Sequence, residues 1–195
     1  MSALGRYEAL VLASTSAARQ SLLRSLGLAF ACEAPGVDES AATGLAPAQL
    51  AAVLAERKAR AVAQRRPRAL VIGSDQVVAA GGAALGKPAD ALAARAQLAA
   101  LSGTRHALHT AVCVMGPGFF ALEVDTVTVT AFPLSAAELD AYVATGEWQG
   151  CAGGYRIEGR GQALFSHVDG DRTSVQGLPM LRVVRLLREA GVSLL

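Results

Sequence analysis

Strand-like and helix-like patterns alternate along the 195 residues, and this alternation narrows the fold more than any other feature of the chain. Ala9-Leu10-Val11-Leu12 is an apolar run of strand length, and residues 17–26 carry apolar side chains at helical spacing with Gly27 as a stop. The Ala-rich stretch 46–65, with Pro47 suited to a first helical turn, predicts a second helix, and 69–79 a second strand. A further Ala-rich helix is expected over 89–102, closed by Gly103. Residues 109–115 and 120–132 then read as antiparallel strands joined at Gly116-Pro117-Gly118. Ser135 and Glu138 have the spacing of a capping box for a helix through Thr145. A glycine-rich segment, 150–161, leads to Ala163-Leu164-Phe165 and Val168, and a last helix is expected over 179–190. The pattern predicts an α/β fold with a mixed central sheet flanked by helices. Helices built so largely of Ala need tertiary packing to be stable.

Within that frame two clusters carry chemistry. In Val71-Ile72-Gly73-Ser74-Asp75-Gln76-Val77-Val78 a carboxylate stands where an apolar run breaks, at a position that packing alone would give to Val or Thr. Gly86-Lys87-Pro88 follows and supplies an opposite charge. Asp75 is therefore expected at a strand end, facing Lys87, as a metal-binding or general-base carboxylate beside a phosphate-holding cation; a structural ion pair accounts for the same two residues. The second cluster is the loop Ala13-Ser14-Thr15-Ser16-Ala17-Ala18-Arg19 between the first strand and helix. Backbone N–H groups at a helix N-terminus, small hydroxyls and a guanidinium suit a phosphate, although an ordinary Ser N-cap with an exposed Arg uses the same residues. Neither a P-loop nor a dinucleotide fingerprint is present, so any phosphate grip is of another design.

Other classes of function fit poorly. A formal net charge of +2, with the densest basic patch at Arg65-Arg66-Pro67-Arg68 in an expected loop, gives no nucleic-acid-binding face. The opening apolar run is too short for a membrane span or a signal segment. Cys32, Cys113 and Cys151 are odd in number and far apart, as expected of reduced thiols in a cytoplasmic protein. His106, His109 and His167 lack metal-triad spacing, and Asp169-Gly170-Asp171 reads as a turn. Ser14, Thr15 and Ser16 have no local base, which argues against a serine nucleophile. Trp148, the single tryptophan, reads as a packing residue.

Five separated motifs occur in an order that resembles the Maf family of nucleoside triphosphate pyrophosphatases. They are Leu12-Ala13-Ser14-Thr15-Ser16 with Arg19; Val37-Asp38-Glu39; Lys58-Ala59; Ser74-Asp75-Gln76-Val77 with Gly86-Lys87-Pro88; and Cys151-Ala152-Gly153-Gly154-Tyr155 to Gly161 with Gly177-Leu178-Pro179. The likeness spans nearly the whole chain and implies one domain over 1–195. It implies hydrolysis of a nucleoside triphosphate between the α- and β-phosphates, an elongated mixed sheet with two lobes around a cleft similar to inosine triphosphatases, and a divalent cation, Mg²⁺ or Mn²⁺. A homodimer is compatible with the resemblance, but no residue marks its face. Carried over position by position, Asp75 matches the proton acceptor and Glu39 its companion at the metal, while Ser14, Arg19, Lys58 and Lys87 match the positions around the phosphates. Lys58 also lies beside Arg57 and Arg60 in a polar helical run, where a solvated helix face explains it equally well.

Three positions bear on the base. Gln76 and Glu158 resemble the branch acting on 7-methyl-GTP; the branch acting on dTTP and UTP typically has Thr and Gln there. A carboxylate such as Glu158 can accept the N1–H and N2–H of a cationic 7-methylguanine, and Gln76 is expected to add an amide contact. Ala18 departs from the 7-methyl-GTP pattern, which tends to place a Trp there. The expectation is thus a 7-methyl-GTP pyrophosphatase, with two rivals: a dTTP/UTP or broad-range pyrophosphatase, and a nucleotide-binding regulator of cell division that needs no turnover.

Overall fold

The computed structural model of the protein describes residues 3–38 and 44–195. Its elements follow the alternation in the sequence. β1 (Leu10–Leu12), α1 (Ala17–Arg24), β2 (Ala31–Cys32) and α2 (Pro47–Arg65) come first, followed by β3 (Leu70–Ala80), β4 (Ala83–Leu85) and α3 (Ala91–Leu101). The hairpin β5 (Arg105–Gly116) and β6 (Phe119–Ala131), then α4 (Ala136–Ala144), β7 (Phe165–Asp169), α5 (Arg172–Val175) and α6 (Met180–Glu189), complete the chain. The sheet order is β2-β1-β3-β5-β6-β7, with β4 on β3; β1 runs parallel to β2 and β3, and the remaining pairs are antiparallel. The expected α/β class with a mixed sheet flanked by helices is the observed one. Ser135 and Glu138 form the anticipated capping box, and Pro47 occupies the first turn of α2.

Two features differ from the expectation. The strand expected over 69–79 is β3, but Asp75, expected at a strand end, lies in its middle, because β5 pairs with the strand from Val71 to Ala79 regardless of the carboxylate. The first hairpin strand also begins earlier than its apolar segment, at Arg105, and runs for twelve residues, while the second, of thirteen, matches its expected span to within one residue at each end. Cross-strand hydrogen bonding involves every residue, so a polar side chain does not end a strand that has a partner.

On its other edge β3 is only partly covered. β1 pairs with Leu70–Ile72 and β4 with Val78–Ala80, so among the described residues no strand lies beside the interval Gly73–Val77. The apolar core divides near the same place. Leu10, Leu12, Leu70, Ile72, Val112 and Val114 pack under Val183, Leu186 and Leu187 of α6. On the opposite face Val11, Val71, Ala111 and Cys113 meet Ala51, Ala55, Ala59 and Val62 of α2. Beyond the interval, Val78, Leu108, Val127 and Val129 join Val175, and Leu98, Leu101, Leu139 and Tyr142 form a separate cluster with Tyr155 and Leu164. Full burial of a side chain such as Leu70 or Ile72 contributes about 1.5–3 kcal/mol, and the clusters pack the sheet on either side of the uncovered interval.

Candidate active site

The uncovered interval of β3 is the floor of a cavity of about 490 Å³, within the range of small-molecule sites. Its lining brings together residues distant in sequence: Ser14, Ala18 and Arg19 from the first loop and α1, Lys58 from α2, Asp75 and Gln76 from β3, and Lys87 after β4. The segments 150–152, 155–158 and 175–177 close the other side. Among the described lining residues four side chains are cationic (Arg19, Lys58, Lys87 and Arg156) and two are carboxylates (Asp75 and Glu158), a balance that favours an anionic ligand.

The floor is set by a close approach of helix to strand. Gly73 lies under α2, and a Cβ there would stand 2.6 Å from the Ala59 nitrogen and closer still to the Ala55 carbonyl oxygen. Alanines on the helix and glycine on the strand let the two backbones meet, which brings Lys58 down onto Asp75 at 2.5 Å with both residues only 7 % exposed. Strand alternation explains the pairing: Gly73 and Asp75 share the face that α2 covers. Asp75 therefore takes Lys58 as its counter-ion, where the sequence pointed to Lys87. Nor is Lys58 on a solvated helix face. Lys87 is exposed at the rim of the same cavity, with no ion pair to a described residue, and its turn is fixed by Gln97 Nε2 donating to the Gly86 carbonyl oxygen at 3.1 Å.

The first loop is held as a cap. Ser16 Oγ accepts from the Arg19 N–H, and the Ser16 N–H donates to Ser14 Oγ at 3.1 Å. Ser14 is thereby buried with its oxygen directed into the loop, so its hydroxyl orders the start of α1. Arg19 reaches across the cavity and donates from Nε to the Gly177 carbonyl oxygen at 2.7 Å. Ala18 lines the cavity as a small side chain.

Gln76 lines the cavity with its amide nitrogen already engaged by the protein. Its Nε2 donates to Ser174 O at 2.7 Å, Val175 O at 3.0 Å and Thr110 Oγ1 at 2.9 Å. Two main-chain carbonyls can only accept, so the amide nitrogen is turned toward the 174–175 segment and is not presented to a base. Glu158 does line the cavity, at its exposed margin, with Arg156 Nε 4.0 Å from its Oε1. Glu39, expected beside Asp75, falls outside the described residues. Among the described residues no three His, Cys, Asp or Glu side chains assemble into a metal cage.

Several lining residues escaped sequence reasoning. Arg156, Ile157, Val175 and Gln176 belong to the walls, yet only the glycines around them were conspicuous. The residues read as structural behave so. Trp148 is buried and donates to the Val143 carbonyl oxygen at 3.1 Å, His109 Nδ1 meets Thr126 Oγ1 at 3.0 Å, and Asp171 caps α5. His106 Nε2 lies 2.8 Å from the Tyr155 hydroxyl behind the cavity wall, and burial depresses its pKa to about 4. No described helix is long and apolar enough to cross a membrane.

Comparison with known proteins gives a consistent picture. Residues 9–190 match the family model described as Maf-like protein. The 7-methyl-GTP pyrophosphatase of Xanthomonas campestris pv. campestris (strain 8004) is 48% identical over 187 residues, 95% of this chain and 97% of that protein. The dTTP/UTP pyrophosphatase of Pelotomaculum thermopropionicum is 43% identical over 188 residues, covering 95% and 98% of the two chains, and that of Symbiobacterium thermophilum is 44% identical over 183 residues, covering 93% and 94%.

Proposed function

Since the chain belongs to the Maf family, we propose that it is a nucleoside triphosphate pyrophosphatase that cleaves 7-methyl-GTP to 7-methyl-GMP and diphosphate. The observation that carries the reading is the buried Asp75, paired with Lys58 on the floor of a cleft whose other charges are mainly cationic. In the reaction the oxygen of a water bonds to the α-phosphorus, the bridging α–β P–O bond breaks, and Asp75 accepts the water proton. The Lys58 ammonium fixes the carboxylate in place. Arg19 and Lys87 balance the negative charge on the diphosphate as it leaves.

The donor set suits a hard cation shared with the ligand. One carboxylate beside the phosphates, Asp75 among the described residues, with phosphate oxygens completing the shell, is how proteins commonly hold Mg²⁺, in contrast to an all-protein cage. Asp75, with Glu39 as its companion, would hold Mg²⁺ or Mn²⁺, which would supply further charge neutralisation at the phosphates. At the opposite end Glu158 supports the choice of base, because its carboxylate matches both the donor edge and the positive charge of 7-methylguanine. A preference for dTTP or UTP is the second reading, favoured by the small Ala18 and by relatives named for those substrates.

The test is diphosphate release by the purified protein with Mg²⁺ or Mn²⁺ on 7-methyl-GTP, GTP, dTTP, UTP and CTP, with Asp75→Asn alongside. Turnover of 7-methyl-GTP above the other nucleotides, reduced about 10³-fold in the variant, is the expected result. Preference for the pyrimidine nucleotides would reverse the substrate assignment, and a fully active Asp75→Asn would remove its role as proton acceptor.

A further inference from the structure

Gln76, Thr110 and Asp125 stand directly opposite one another on β3, β5 and β6, so they form a polar row three strands wide on one face of the sheet. All three hold the same short segment. The Gln76 amide donates to Ser174 O and Val175 O; the Thr110 hydroxyl accepts from Gln76 and donates to Ser174 O at 2.8 Å; and Asp125 Oδ2 accepts from Ser174 Oγ at 2.5 Å. Arg182 of α6 braces Asp125 from behind, its Nη2 2.7 Å from Oδ1. Thr110 and Ser174 are fully buried, which makes each of these polar groups costly to leave unpaired. The segment they hold continues into Val175, Gln176 and Gly177, which face the cavity.

We infer that this row is a specificity device acting at one remove: it fixes the 174–177 segment as the base-side wall of the cleft, and Thr110, Ser174 and Asp125 are positioning residues that determine which base fits. The inference rests on the nucleotide reading above. It gives Gln76 its role through the wall, since its amide nitrogen is engaged by main-chain oxygens. The segment's far end is secured separately, by Ser74 Oγ and Arg19 Nε on the Gly177 carbonyl oxygen. A change in the row therefore loosens the base side and leaves the phosphate side in place.

The experiment compares full-length wild type with Thr110→Val, which keeps shape and deletes the hydroxyl, Thr110→Ser, which keeps the hydroxyl, and Ser174→Ala, which cuts the link to Asp125. Amide exchange at Val175 and Gly177 is followed together with kinetics on 7-methyl-GTP and dTTP and inhibition by inorganic tripolyphosphate, which has no base. Thr110→Val is expected to speed exchange at those amides about tenfold and to shift the ratio of kcat/KM for the two nucleotides at least about fivefold, mainly through KM. Tripolyphosphate inhibition should stay within about twofold, and Thr110→Ser should restore the wild-type ratio. Ser174→Ala should move in the same direction by less, and it decides the matter if Thr110→Val does not fold. Unchanged exchange, an unchanged ratio, or tripolyphosphate inhibition that shifts along with KM would overturn the inference. A wild-type protein that turns over neither nucleotide would instead refute the functional reading, and the exchange comparison would still decide whether the row holds the wall.

Discussion

The two ends of the cleft are built from different materials. At the end proposed for the phosphates the central pair sits in regular structure, Asp75 in the middle of an eleven-residue strand and Lys58 in a nineteen-residue helix, both buried. At the end proposed for the base the charged side chains Arg156 and Glu158 are exposed on a loop, and the wall behind them is a short segment held through its own carbonyl oxygens. The contrast separates two tasks. A triphosphate presents the same geometry whatever base it carries, so its reacting end can be set rigidly in the sheet. Discrimination between bases needs a surface that can vary without disturbing the fold, and loops provide it.

Breaking the buried pair should give the largest effect. Lys58→Met removes the ammonium beside the buried Asp75 carboxylate and should lower stability by about 3–5 kcal/mol, measured as a fall in the denaturant midpoint. A loss below about 1 kcal/mol, the value of an exposed pair, would erase the distinction between the two ends. The wall at the base end has a pH signature of its own through His106. Burial holds its folded pKa near 4, below the unfolded value of 6.5, so the unfolded chain binds a proton that the folded chain refuses. This contribution to stability is complete above pH 6.5 and is lost as pH falls toward 4, on the order of 3 kcal/mol in all. His106→Phe should flatten that part of a stability-versus-pH curve; an unchanged slope there would exclude His106 as its source.

Gly73→Ala tests whether backbone proximity sets the phosphate end. The new methyl collides with α2 and should cost about 1–3 kcal/mol, with turnover falling for every nucleotide alike. A selective loss on one base would contradict the separation of tasks. The smallest effect on stability is expected from Glu158→Gln, within about 0.5 kcal/mol because the side chain is exposed. Its effect should appear in substrate choice, as a drop of about tenfold in the preference for 7-methyl-GTP over dTTP.

The same contrast governs what could be read from the sequence. Asp75 was visible because a charge inside a β-branched run conflicts with packing, and the alternation of elements was visible because periodicity survives in Ala-rich helices. Lys58 stood out only through the family resemblance, since its neighbours Arg57 and Arg60 make that stretch look solvated, and what brings the helix in is the absence of a side chain at Gly73. The extent of β3 was legible, but the carboxylate suggested a strand end where hydrogen bonding to β5 continues past it. Least legible was the 174–177 wall. Gln76 and Thr110 bind it through main-chain oxygens, which every residue type possesses, so nothing in Ser-Val-Gln-Gly announces the role.

The contact of Gly73 with α2 also bears on motion. A backbone resting on a backbone has no rotatable side chain between the two surfaces, so thermal agitation moves helix and strand together and the distance across them changes little. Lys87 and Glu158, on long side chains in exposed turns, exchange rotamers in picoseconds to nanoseconds. The molecule thus keeps the Asp75 carboxylate still while the charged groups at the rim of the cavity remain in rapid motion around it.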